Sequence, residues 1–274
     1  MHTWPVSTHL SAEAYIRSHG LVAQVFDQQD SGNVCYEVRI GDERYFVKTA
    51  GEAADERPVL NHPQRLALLE NAALIARTVD HPILTALYAM VRSVDGVFLV
   101  YEWFDGDLVR ADKANRADPD SVYQRFRQQP HLQLIKHLSR LIDLVADLVK
   151  QGLIVVDLYD GCLLWSGQQI RVIDLDNSRW GPSVNEMGRM FGSSRFMAPE
   201  EFERGAPIDE LTNVYTLGRF LFEFIGDGSV NRAAFRAGDA VFAVARKACE
   251  RHRSQRFADF ESFRRAWRQA ALRS

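Results

Sequence analysis

The sequence predicts an α+β fold in two lobes, a strand-rich first part followed by a helix-rich second. Three observations carry this. Val34, Tyr36, Val38 and Ile40 alternate with smaller or polar residues, the period of two that belongs to strands. Leu134, Leu138, Leu141, Val145 and Leu148 step by four and three, the spacing of a helix with a broad apolar face. The change from one pattern to the other falls just after residue 101, so strands and helices segregate along the chain.

A short helix is expected over residues 11–18. The alternating strand turns at Gly41-Asp42 and returns through Tyr45-Phe46-Val47, so the second arm of this hairpin ends on Lys48. Residues 51–57 are polar and read as a loop. Over 64–79 Leu66, Leu69, Ala73 and Ala76 share a helix face with Glu70 at its edge, and His81-Pro82 stops the pattern. A second hairpin is expected from 84–91 and 97–101 across the turn at 93–96. Residues 105–130 are charged and short of large apolar side chains, which suggests a surface excursion. The long apolar helix follows, closed by Gly152 as its C-terminal cap. Next come a strand at 170–173, an irregular segment to about residue 199, and three more helical patterns. One of these, with Val214, Leu217, Leu221 and Phe224, is apolar enough to be a core helix. The chain is thereby divided into an N-terminal extension (1–19), a first lobe (20–101), a connector (102–106) and a second lobe (107–274).

The 274 residues are 46% hydrophobic and 25% charged, ordinary for a globular protein. A net charge of −3 argues against a nucleic-acid partner. Three cysteines, odd in number and without CxxC spacing, predict a reducing compartment with neither a disulfide framework nor a zinc site. The first residues carry no signal-peptide pattern, and no apolar run approaches the roughly 18 residues of a membrane helix. The expectation is a cytoplasmic protein, monomeric or weakly dimeric, with no membrane partner.

One stretch interrupts its own pattern. "QGLIVVDLYDGCLLW", residues 151–165, rises as a buried strand, inserts Asp157 and Asp160, then returns to apolar residues. Buried carboxylates are costly unless paired or bound to metal. Asp174, in "VIDLDNS", ends a second short apolar run seventeen residues later. Two such carboxylates suit one magnesium ion, which takes one or two protein carboxylates together with phosphate oxygens. Taken singly, each reads better as a turn residue or helix cap.

Further motifs follow in order. Lys48 in "YFVK" is the only lysine in the first 112 residues; "LVYEWFDGDL" (99–108) joins the lobes; "FGSSRFMAPEEF" (191–202), "DELTNVYTLGRFLFEF" (209–224) and Arg256 in "RHRSQRF" complete the set. Together they resemble the eukaryotic-type Ser/Thr protein kinase-like family in its bacterial, single-domain form, over about residues 20–270. The most specific piece is Ala198-Pro199-Glu200, whose glutamate lies 26 residues after Asp174. The resemblance implies a two-lobed protein kinase-like fold that binds ATP with Mg2+ or Mn2+ and transfers its γ-phosphoryl group to a protein Ser/Thr hydroxyl. It implies Asp157 as catalytic base, Asp174 on the metal and Lys48 on the phosphates, with Glu70 either the partner of Lys48 or a solvated helix residue. Gly32 would belong to the phosphate loop, and Glu102 and Phe104 would offer backbone groups to adenine. In the activation segment, Ser193 would stand near the catalytic aspartate and Glu200 would pair with Arg256.

The departures from that pattern point the other way. The phosphate-loop stretch "QQDSGNVCYEV" keeps only Gly32 of three glycines. Val155-Val156 replaces His-Arg before Asp157, so no arginine there reads a phosphate on the activation segment, and activity is expected not to depend on phosphorylating it. Tyr159 replaces a lysine, Cys162 an asparagine, Asp176 a glycine and Asn213 an aspartate. A thiol is a poor magnesium ligand. Asp160 reads either as a turn residue beside Gly161 or, like Asp176, as a carboxylate acting on the site through water. An active phosphotransferase is therefore weighed against a pseudokinase that acts as a nucleotide-responsive or nucleotide-free binding module. A small-molecule kinase is a third reading, opposed by the Ala-Pro-Glu.

Overall fold

The alternation in the first hundred residues builds a five-stranded antiparallel sheet. The computed structural model describes residues 2–27, 31–55, 58–110, 112–113 and 116–274. The expected phosphate loop lies partly outside the described residues (28–30). So do parts of the polar loop (56–57) and of the excursion (111, 114–115).

Helix α1 (Ala12–His19), capped by the Ser11 hydroxyl, leads into β1 (Leu21–Phe26), β2 (Val34–Ile40) and β3 (Glu43–Thr49). Helix α2 (His62–Thr78) follows, then β4 (Leu87–Ser93) and β5 (Gly96–Glu102), in sheet order β1-β2-β3-β5-β4. The period of two gives the sheet two apolar faces. Val38, Val47, Phe98 and Val100 pack with Tyr15 and Ile16 of α1, whereas Val97 and Leu99 pack with Leu69 and Ala73 of α2. The expected N-terminal extension therefore contributes Ala12, Tyr15 and Ile16 to this core. Trp4 packs against the same cluster, and the Ala12 N–H is held by Asp95 at 2.9 Å. The signal was Tyr15-Ile16, an apolar pair too short to show what it covers.

Helix α2 starts two residues earlier than its apolar face suggested, because Asn61 and Gln64 form a reciprocal capping box with Pro63 in the first turn. Its buried face includes a charged residue. Arg65 donates to three backbone oxygens, those of Ala50 (2.7 Å), Glu52 (2.7 Å) and Leu60 (2.9 Å). A buried guanidinium is tolerated only when its donors are filled, and here they fasten the chain that follows Lys48.

The chain divides into two compact units, Met1–Asp105 and Gly106–Ser274. The second begins with β6 (Asp107–Leu108) and α3 (Val122–Arg127). Helix α3 corrects the expected surface excursion: Tyr123 and Phe126, one turn apart, are buried, and Phe126 meets Trp165 and Phe224 edge-on. Helix α4 (His131–Lys150) buries the predicted stripe and ends with Gly152 at φ 83°, donating to Val149 O. After α4 come β7 (Leu153–Ile154), β8 (Leu163–Trp165), β9 (Ile170–Val172), β10 (Arg179–Trp180), β11 (Ser183–Val184) and β12 (Pro207–Ile208). Helices α5 (Glu210–Ile225), α6 (Asp239–Ala248) and α7 (Phe260–Ala271) complete the unit, α5 and α7 opening on capping boxes at Asp209 and Asp259. Strands and helices thus segregate as an α+β fold.

Candidate functional site

Two small sheets bring the loops of Asp157 and Asp174 together. Strand β7 pairs with β10, and β8 with β9, all antiparallel. The loop 155–162 leaves β7 and enters β8; the loop 173–178 leaves β9 and enters β10. Each pairing therefore fixes one end of both loops, and the Ile173 N–H adds a bond to Cys162 O at 2.9 Å. Asn213, in the first turn of α5, clamps the approach to Asp157: its amide donates to Val155 O at 2.5 Å and accepts from Val155 N at 3.1 Å.

Asp157 and Asp174 share an unusual backbone. With φ of 63° and 59°, they are the non-glycine residues of positive φ among those described. An L-residue adopts that left-handed region at a cost, and such strain gathers where a side chain must be aimed. Asp157 is half-buried and Asp174 exposed. Asn177 donates to Asp157 Oδ2 at 3.2 Å, and the Cys162 thiol donates to Asp157 O at 3.4 Å.

Burial raises the Asp157 carboxyl from its ordinary 3.8 to about 7, and the negative charges of Asp176 and Asp174 add to the effect, while the Asn177 bond opposes it. Burial also raises the Cys162 thiol, which stays protonated beneath the loop and offers no thiolate to a metal. Asp160 is not a solvated turn residue. It is buried in the 3-10 turn 160–162 and ion-paired to Arg195 at 2.5 Å.

The segment 191–200 meets this loop. A Cβ added at Gly192, which has φ 133°, would stand 3.4 Å from Asp157 Oδ1 and 3.3 Å from Met197, so a glycine fits that approach. Ser193 contributes its carbonyl, which accepts from the N–H groups of Phe196 (2.9 Å) and Met197 (3.3 Å). The segment ends on a buried ion pair: Arg256 donates to Glu200 through both nitrogens, at 2.7 and 2.8 Å. Arg253 and the Thr212 hydroxyl bond the same carboxylate, at 2.6 and 3.1 Å. Burial raises the Glu200 carboxyl, but the Arg256 bonds and charge outweigh it and hold the group below its ordinary range.

The remaining predicted residues stand on the first unit. Lys48 is 6% exposed on β3, between Cys35 of β2 and Leu99 of β5. Glu70 lies on the exposed side of α2, the position of a solvated helix residue. Gly32 is explained by packing: at φ 72°, an added Cβ would stand 2.1 Å from Pro58 Cγ, and Gly51 approaches its carbonyl. Glu102 ends β5, and its N–H donates to Ala86 O at 3.0 Å, so this donor is already committed. Phe104 is half-buried just beyond.

Asn177 and Arg195 were missed in the sequence. Asn177 had a weak signal, an amide three residues after Asp174; Arg195 had none beyond lying between a serine and a phenylalanine. Among the described residues, no group of three or more His, Cys, Asp or Glu side chains is arranged to hold a metal, and no helix is long and apolar enough to cross a membrane. The negative charges of Asp174 and Asp176 nonetheless act on Asp157 and raise its carboxyl further. No protein-family model matches this chain, and no curated protein matches it significantly.

Proposed function

We propose that this chain is a protein kinase-like phosphotransferase that uses ATP with magnesium or manganese and acts on a Ser/Thr hydroxyl of a protein. The observation that carries the reading is the Asp157 carboxyl, raised to about 7 among other carboxylates, held by Asn177 and set on a single residue of left-handed backbone. A base works best when its pKa lies near the working pH. Asp157 accepts the hydroxyl proton, Asn177 keeps its second oxygen aimed, and Asp174 presents a carboxylate to the cation. The metal nucleotide, when bound, supplies the γ-phosphoryl group and neutralises its charge. The role of Lys48 on the phosphates, and a cytoplasmic location, are carried by the sequence pattern. Transfer of radiolabel from ATP to a mixed protein substrate, with each metal in turn, tests the reading; transfer that persists undiminished in Asp157→Asn would defeat it.

A second reading is a binding module without transfer. The protonated Cys162 thiol and the crowded Gly32 favour it, since neither supplies what the resemblance expects at its position. A folded preparation that shows no stabilisation by ATP with either metal would select a nucleotide-free form of it.

A further inference from the structure

We propose that Arg195 is a built-in cation that positions residues 192–197 against Asp157, so that this segment is held with no phosphate group on it. Only the kinetic part of the test rests on the phosphotransferase reading.

The Arg195 guanidinium joins three parts of the second unit. One nitrogen meets Asp160 Oδ2 at 2.5 Å and the other Glu223 Oε1 at 2.5 Å. Asp160 lies in the turn that closes the Asp157 loop, and Glu223 lies on α5; their side chains are 0% and 5% exposed. The Tyr123 hydroxyl of α3 donates to the same Glu223 oxygen at 2.6 Å. The guanidinium also lies over the Phe196 ring, 4.9 Å from its centroid. Two buried carboxylates this close would be strongly destabilising without a cation between them, so the charge of Arg195 is fixed in place.

The backbone of the segment is held as well. Arg219 donates to Arg195 O at 2.8 Å, and the Phe196 ring lies 4.5 Å from that of Phe220 on α5, tilted by 40°. Arg195 lies three residues after Gly192, and Asp160 three residues after Asp157. The same two stretches therefore meet twice, at the Arg195–Asp160 pair and where Gly192 approaches Asp157. A phosphoryl group on Ser193 or Ser194 would bring about −1.5 to −2 charges toward carboxylates whose local cation is already engaged. The segment is thus built in its ordered form from the start.

The test compares wild type, Arg195→Met and Arg195→Lys by amide hydrogen exchange over 190–198, with the amides of α5 as internal reference, and by turnover. In Arg195→Met, exchange over 190–198 should rise at least about tenfold while α5 stays protected, since charge-assisted bonds inside a locally opening unit are lost. Turnover should fall with little change in the KM for ATP. Arg195→Lys, which reaches one carboxylate instead of two, should lie between. Unchanged exchange over 190–198 in Arg195→Met would overturn the proposal, as would a segment that loosens when wild type is treated with phosphatase. If Arg195→Met unfolds, with α5 exchanging alongside, Arg195→Lys decides by the same exchange measurement: wild-type rates there also overturn it. A wild type that transfers no phosphate defeats the phosphotransferase reading alone, because exchange still reports on the segment.

Discussion

Asn177 donates its side-chain amide to Asp157 Oδ2 at 3.2 Å, joining the loop after β7 to the loop after β9. The bond acts to lower the Asp157 carboxyl against its burial and the charges of Asp176 and Asp174. Asn177 therefore orients the group without making it an ordinary carboxylate, which is what a proton acceptor working near neutrality requires.

Asp157 should destabilise the fold at high pH. Its carboxyl titrates at 3.8 ordinarily and near 7 in the folded protein, so between those values the folded state binds more protons than the unfolded one. Stability then falls as pH rises through that window. A displacement of half that size already corresponds to about 2 kcal/mol above pH 7. Asp157→Asn is expected to be more stable than wild type at pH 8, with the difference shrinking below pH 4. Urea denaturation at both pH values checks this; a difference independent of pH would show that the carboxyl titrates normally.

Asp157 and Asp174 should separate when binding is measured beside turnover. Asp174→Asn is expected to weaken metal–ATP binding and remove transfer together. Asp157→Asn should leave nucleotide affinity nearly intact while turnover falls by about 10²–10⁴, the usual contribution of a general base. Equal affinity in wild type and both variants, with turnover in none, would leave the two aspartates as structural residues.

The Glu200–Arg256 pair should behave with the opposite pH sense to Asp157. Its carboxyl is held below the ordinary range, so its contribution is present at neutral pH and disappears as pH falls through its folded titration. Arg256→Met leaves Glu200 buried with Arg253 and Thr212 as remaining partners. The expected loss is about 3 kcal/mol at pH 7, the lower end for breaking a buried pair. Thermal melts at pH 7 and pH 4 should show a smaller difference at the lower pH.

Nucleotide binding should register as stabilisation. ATP at 100 times its Kd adds about 2.7 kcal/mol, and at roughly 2–4 °C per kcal/mol that is a shift of several degrees for a chain of this size. The shift should require magnesium or manganese and vanish in Lys48→Ala. A shift that survives that substitution unchanged would remove Lys48 from the phosphates.

Local periodicity made much of the architecture legible. The alternation of Val34–Ile40 and Glu43–Thr49 determined a hairpin that carries Lys48, and the three-and-four spacing of Leu134 to Leu148 determined α4 with Gly152 behind it. Asp157 and Asp174 stood out because each broke an apolar run, and Glu200 was matched to Arg256 through the motifs around them. Such signals survive in one dimension because neighbouring residues share one backbone geometry. What the tertiary structure alone decided concerns charges whose partners are remote in sequence. Arg65 is buried because three carbonyls of the 50–60 region converge on it, and α3 is part of the core because Trp165 and Phe224 receive Phe126. Asp160 is a buried anion because Arg195, thirty-five residues away, reaches it. A carboxylate or guanidinium reads the same in sequence whether water or a distant counter-charge will solvate it, and only the packed chain decides which.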